Sequence, residues 1–96
     1  MMEEDIVYLI QLDYSTDDCE GIDNYIFKTK EKALKKLNTL IEQEKEFYKN
    51  EYPNFNDFEL DTNIEDKKAN EYWWNYKCES NYYLHTFIDL KIMEVN

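Results

Sequence analysis

The chain has 96 residues, with 22 Asp and Glu against 11 Lys and no Arg, a formal net charge of −11 and a pI near 4.4. Phosphate and guanine recognition favour the arginine fork, so this balance argues against direct nucleic-acid binding. No apolar run approaches the roughly 18–20 residues that span a bilayer, and 43% hydrophobic content suits one compact domain over residues 1–96.

Residues 6–12, Ile-Val-Tyr-Leu-Ile-Gln-Leu, are β-branched, aromatic and aliphatic, and short enough for a strand. Apolar residues on both of its faces predict an interior position. Residues 13–24 read as an acidic connection carrying Asp13, Asp17, Asp18, Glu20 and Asp23, with the single glycine at Gly21. A calcium loop of the EF-hand type needs glycine at its sixth position and glutamate at its twelfth. Counting from Asp13, those places hold Asp18 and Asn24, so no calcium site is expected. Tyr25–Lys28 predicts a second strand, antiparallel to the first.

Thr29 to Asn50 predicts one long amphipathic helix. Ala33, Leu34, Leu37, Leu40, Ile41, Phe47 and Tyr48 recur at steps of three, four and seven, which draws one apolar stripe. Thr29 suits an N-cap, and Pro53 stops the far end. Residues 51–66 then hold six acids and no lysine. Within them Asp57-Phe58-Glu59-Leu60-Asp61 alternates, and an extended backbone would turn Phe58 and Leu60 inward and three carboxylates outward. The plainer expectation for this stretch is a solvated loop pinned by Phe55, Phe58 and Leu60.

Ile64–Asn70 has room for a helical turn. Glu71–Glu79 and Tyr82–Val95 read as two strands turning at Ser80-Asn81. Tyr72, Trp74, Tyr76 and Cys78 share the core face of the first, and Leu84, Thr86, Ile88, Leu90 and Ile92 that of the second. The expected fold is α+β: a four-stranded, mainly antiparallel sheet in β-β-α-β-β order, with the helix on one face. Trp73, Tyr83, Phe87 and Met93 are expected on the face away from the helix. One helix cannot cover both faces of such a sheet, so the second face exposes aromatics or binds something.

The chemistry of catalysis is thin. There is one histidine, His85, with no glycine-rich phosphate loop and no nucleophile elbow, and Cys19 and Cys78 match no metal spacing. A non-catalytic protein without cofactor or metal is expected. The N-terminal MMEEDIVYLIQL lacks the basic stretch and small-residue cleavage site of a secretory signal. A reducing cytoplasm and free thiols are therefore expected.

The acid is concentrated in two stretches, with eight acids and no lysine in residues 1–23 and six and none in 51–66. These acid-only stretches (Asp13–Asp23 and Glu51–Asp66), the lysine-only basic set and the strand–strand–helix–strand–strand order resemble the small acidic anti-defence proteins of phages and mobile elements. That group includes anti-CRISPR proteins and DNA mimics. The resemblance implies stoichiometric inhibition, in the host cytoplasm, of a basic nucleic-acid-binding protein such as a CRISPR or other defence nuclease. Asp57, Glu59 and Asp61 are the expected electrostatic contact row, and Asp17, Asp18 and Glu20 a second. Trp73, Tyr83 and Phe87 are the expected aromatic anchors. The competing expectation is a structural or assembly protein that forms a homodimer, or joins another subunit, through the same aromatic face.

Overall fold

The computed structural model describes residues 5–66 and 68–95. The helix α1 spans Lys30–Glu51 and follows its apolar stripe closely. Ala33, Leu37, Leu40, Ile41 and Tyr48 are buried, Leu34 lies at the margin and Phe47 stays exposed. Thr29 is extended, and its hydroxyl accepts the Lys32 N–H at 3.3 Å, which satisfies one of the orphan donors of the first turn. At the other end Tyr52 N–H returns to Tyr48 O at 3.0 Å, immediately before Pro53.

The described residues form five strands around this helix: β1 (Asp5–Ser15), β2 (Glu20–Phe27), β3 (Phe58–Asn63), β4 (Glu71–Cys78) and β5 (His85–Val95). All neighbours are antiparallel in the order β2-β1-β5-β4-β3, so β1, β5 and β4 are interior and β2 and β3 are edges. The α+β class is as expected, but the four-stranded β-β-α-β-β order is corrected to five strands in β-β-α-β-β-β order. The extra strand is the alternating Phe58–Asn63 segment. Its backbone pairs with β4, opposing Phe58 to Cys78, Leu60 to Tyr76 and Thr62 to Trp74. As an edge strand it buries little, and Leu60 remains 49% exposed. Acidic composition concealed a strand whose stability comes from pairing.

Three connections also differ from expectation. The acidic loop shrinks to Thr16–Cys19, because β1 and β2 continue to Ser15 and Glu20. Thr16 organises that turn: its N–H reaches Cys19 O at 2.8 Å, and its hydroxyl accepts from Asp18 N and Cys19 N. The β4–β5 turn is longer than Ser80-Asn81, because Asn81 Oδ1 accepts Tyr83 N–H and Asn81 O accepts Leu84 N–H. Tyr82 and Tyr83 therefore lie in the turn, and Tyr83 is not on the sheet face. No helix forms among the described residues of 64–70, where Ala69 N–H closes a turn onto Asp66 O.

The core lies between α1 and one sheet face. Ile10 and Leu12 of β1, Ile88 and Leu90 of β5, and Tyr72 and Trp74 of β4 meet the helix stripe. A satellite cluster of Tyr48, Cys78 and Leu84 is closed by Tyr52, Phe55, Phe58 and Tyr76. Trp74, Tyr76 and Phe58 stack in sequence at 5.1 and 4.5 Å, and Tyr48 meets Tyr76 and Phe58 edge-on. This cluster draws residues 52–57 to the helix side and leaves the other sheet face open.

Candidate functional site

Strand register determines what the open face displays. Residues directly opposed in neighbouring strands share a face, and alternate residues along a strand do too. One cross-strand row reads Ile22, Asp13, Phe87, Asn75, Asp61 from edge to edge, and the next reads Asn24, Gln11, Asp89, Trp73, Asn63. A third row, at the loop end, reads Glu20, Ser15, His85, Lys77, Glu59. With strands about 4.8 Å apart, Asp13 and Asp61 are separated by about 14 Å and Glu20 and Glu59 by about 19 Å. His85 stacks on Phe87 at 4.8 Å, giving the centre of the face a flat aromatic surface with Trp73 beside it.

Among the described residues from 6 to 94 this face carries six carboxylates, Asp13, Glu20, Glu59, Asp61, Glu71 and Asp89, and two lysines. Both lysines are taken, Lys77 by Glu59 at 3.6 Å and Lys91 by Glu71 at 3.9 Å. The other four carboxylates have no ion-pair partner among the described residues. Asp89 is half-buried among these groups. Partial burial raises its pKa, Lys91 opposes that rise, and the charges of Glu71 and Asp13 add to it. At the middle of the face Asn75 buries its Oδ1 with no donor among the described residues.

The expected contact residues fall into three groups. Glu59 and Asp61 project to the open face, as do Glu20, Trp73 and Phe87. Asp17 and Asp18 sit in the β1–β2 turn at the loop end, where Asp17 accepts Asn81 Nδ2–H at 3.1 Å and so ties the two hairpin turns together. Tyr83 is at the same end, 63% exposed and edge-on to Tyr82. Asp57 departs from its expected row. It precedes β3, and hydrogen bonds from Ser80 and from the Cys78 thiol (3.3 Å) hold its carboxyl below the usual range. Its role is to join β3 to the β4–β5 turn. Asp13 and Asp89 belong to the face although the contact rows expected from sequence omitted them. Asp13 was hidden by being read as loop.

A second feature lies on the helix side. A cavity of about 260 Å³ opens between α1 and the β1–β2 hairpin, walled by Leu12, Tyr14, Tyr25, Leu40 and Phe47. Glu44 reaches into it from the helix. Tyr48 hydroxyl donates to Thr86 Oγ1 at 2.8 Å, and Thr86 hydroxyl donates to Glu44 Oε1 at 2.8 Å. Burial raises the Glu44 pKa above 4.5, with the Thr86 bond opposing, and burial pushes Tyr48 up to about 12. Glu44 escaped the sequence reading, though its spacing carried a signal. It stands three to four residues from Leu40, Ile41 and Tyr48, on the apolar stripe itself.

A raised folded-state pKa means that the folded protein holds the Glu44 proton more tightly than the unfolded chain. That contribution is complete below the unfolded value and is lost as pH rises through the folded one. Glu44→Gln keeps the acceptor for Thr86 and cannot ionise. It should match or exceed the parent protein in urea midpoint at pH 7 and flatten the decline in midpoint from pH 4.5 upward. A variant less stable than the parent at pH 7 would show that the ionised carboxylate is a net stabiliser.

No group of three or more His, Cys, Asp or Glu side chains is arranged to hold a metal ion among the described residues. Both cysteines are free, Cys19 exposed and Cys78 buried. Among the described residues no helix is long and apolar enough to cross a membrane. No protein-family model, curated protein or solved structure matches the chain.

Proposed function

We propose that this is a non-catalytic acidic binding protein that blocks a nucleic-acid-handling protein, in the manner of an anti-CRISPR or other phage-encoded anti-defence inhibitor acting in the host cytoplasm. The observation that carries the reading is the open sheet face. Carboxylates with no ion-pair partner among the described residues, at Asp13, Glu20, Asp61 and Asp89, surround half-buried Trp73 and Phe87. Proteins that bind a polyanion hold matching lysines and arginines, and a rigid array of carboxylates competes for those cations. Complementary charge speeds encounter, and aromatic anchors supply the slow dissociation that inhibition needs. Asp17, Asp18 and Glu79 extend the negative field around the loop end of the same face.

A second reading, assembly through the same face with a copy of itself or another subunit, is favoured by one observation. Ile22 and Ile26 on the free edge strand β2 are 57% and 67% exposed.

Capture from host lysate, followed by charge reversal, separates the two. Glu20→Lys and Asp61→Lys alter exposed groups that make no ion pair among the described residues. Together they should slow association with a captured nucleic-acid-binding protein by about tenfold or more. Association unchanged by the reversal would sink the electrostatic reading, and recovery of only this chain's own copies would favour assembly.

A further inference from the structure

We propose that the cavity between α1 and the β1–β2 hairpin binds a primary ammonium group, with Glu44 as its counter-ion and Tyr14, Tyr25 and Phe47 around its alkyl stem. The cavity lies on the opposite side of the sheet from the acidic face, so this site stands or falls independently of the partner proposed above.

The lining selects the ligand by exclusion. Two carboxylates, Glu44 and Asp23, line the cavity and no lysine or histidine does, which rules against an anion. A neutral apolar ligand would seal a partly desolvated carboxylate away from water without a partner, which is unfavourable. A metal ion would lack a third charged ligand among the described residues. An organic cation satisfies both the charge and the aromatic walls, since ring faces attract cations. Tyr25 already does so within the chain, holding Lys36 Nζ 4.6 Å from its ring centroid, although Lys36 does not line the cavity.

The state of Glu44 narrows the cation further. Oε1 is occupied by Thr86, and Oε2 has no hydrogen bond among the described residues. A guanidinium fork needs both oxygens, whereas an ammonium needs one. The volume, about 260 Å³, falls just below the range of drug-sized pockets and suits a short alkylamine. The same chemistry is offered by a free amine and by a lysine side chain.

The cavity also accounts for the single glycine. Gly21 opposes Tyr14 across the β1–β2 pair, and a Cβ there would stand 2.5 Å from the Tyr14 hydroxyl oxygen. Its φ is not positive, so its role is space. Glycine lets the Tyr14 ring lie across β2 and form the wall.

The test is an NMR titration of the intact chain with butylammonium chloride, its neutral isostere 1-butanol, and N-acetyl-lysine methylamide. Butylammonium should give saturable shifts at Tyr14, Tyr25 and Thr86, and bind at least tenfold more tightly than 1-butanol. Glu44→Gln should weaken butylammonium binding at least tenfold. Equal binding of the alcohol, or indifference to Glu44→Gln, would overturn the site. Cys19 at the mouth provides a readout that needs no variant: saturating butylammonium should slow its alkylation by iodoacetamide severalfold, and an unchanged rate would count against the proposal. Saturation by the lysine derivative as well would identify a protein side chain as an admissible source, and saturation by butylammonium alone a free amine.

Discussion

Replacing Trp74 by alanine is expected to destabilise the fold by about 3–5 kcal/mol, the range for removing a large aromatic from a packed core. Trp74 is 1% exposed, stacks on Tyr76 at 5.1 Å, and lies in the core cluster with Leu37, Ile41 and Ile88. Single domains of this size have roughly 5–15 kcal/mol to lose, so the variant should unfold at a much lower urea concentration or fail to fold at all. Equilibrium denaturation followed by far-UV circular dichroism reads the change. An unmoved midpoint would mean that the helix does not pack on this face of the sheet.

The same truncation one residue earlier should act on a different property. Trp73 points to the open face, half-buried, with Asp89 and Asn63 as its cross-strand neighbours. It has the size and rigidity of an interface anchor, and such residues contribute about 2 kcal/mol or more to binding. On the proposed function, Trp73→Ala should therefore weaken the complex with a captured partner about thirtyfold, while costing far less stability than Trp74→Ala. Surface plasmon resonance on the captured partner measures the first effect and urea denaturation the second. Full affinity in Trp73→Ala would remove the aromatic centre of the face from the interface.

This pair of adjacent tryptophans also shows what the sequence made legible. Alternation in Glu71–Cys78 separated their faces correctly, and the spacing of Leu37, Leu40 and Ile41 located the helix stripe. Both are periodic signals set by local geometry. The errors came where pairing or turn chemistry overrode local composition. Phe58–Asn63 reads as acidic loop, because an edge strand needs a hydrophobic face only weakly when its neighbour supplies the backbone partners. Asp13 reads as loop because it opens an acid-rich run, yet it continues β1 opposite Phe87. Tyr83 reads as strand because nothing local reveals that Asn81 would bond to its N–H and carry it into a turn.

The candidate site divides along the same line. Counting alternate residues turns Glu59 and Asp61 outward and gives Trp73 and Phe87 each a face of its own strand, whereas Glu20 reads as part of the acidic connection. That they share one face across five strands required the register, which depends on which strands become neighbours. The bonds that hold the Asp57 carboxylate, from Ser80 and Cys78, come from residues more than 20 positions away and leave no local signal. Glu44 enters neither the apolar stripe nor the contact rows read from sequence, although its spacing puts it beside Leu40, Ile41 and Tyr48.

The central claim is that the open face occupies a cationic surface that would otherwise hold nucleic acid. Competition tests it most directly: the captured partner is equilibrated with this protein and with its own nucleic-acid substrate, at about 0.05 M and about 0.3 M salt. Mutually exclusive binding is predicted, with an affinity for this protein that falls steeply as salt rises. A ternary complex holding protein, partner and nucleic acid together, with an affinity indifferent to salt, would contradict it.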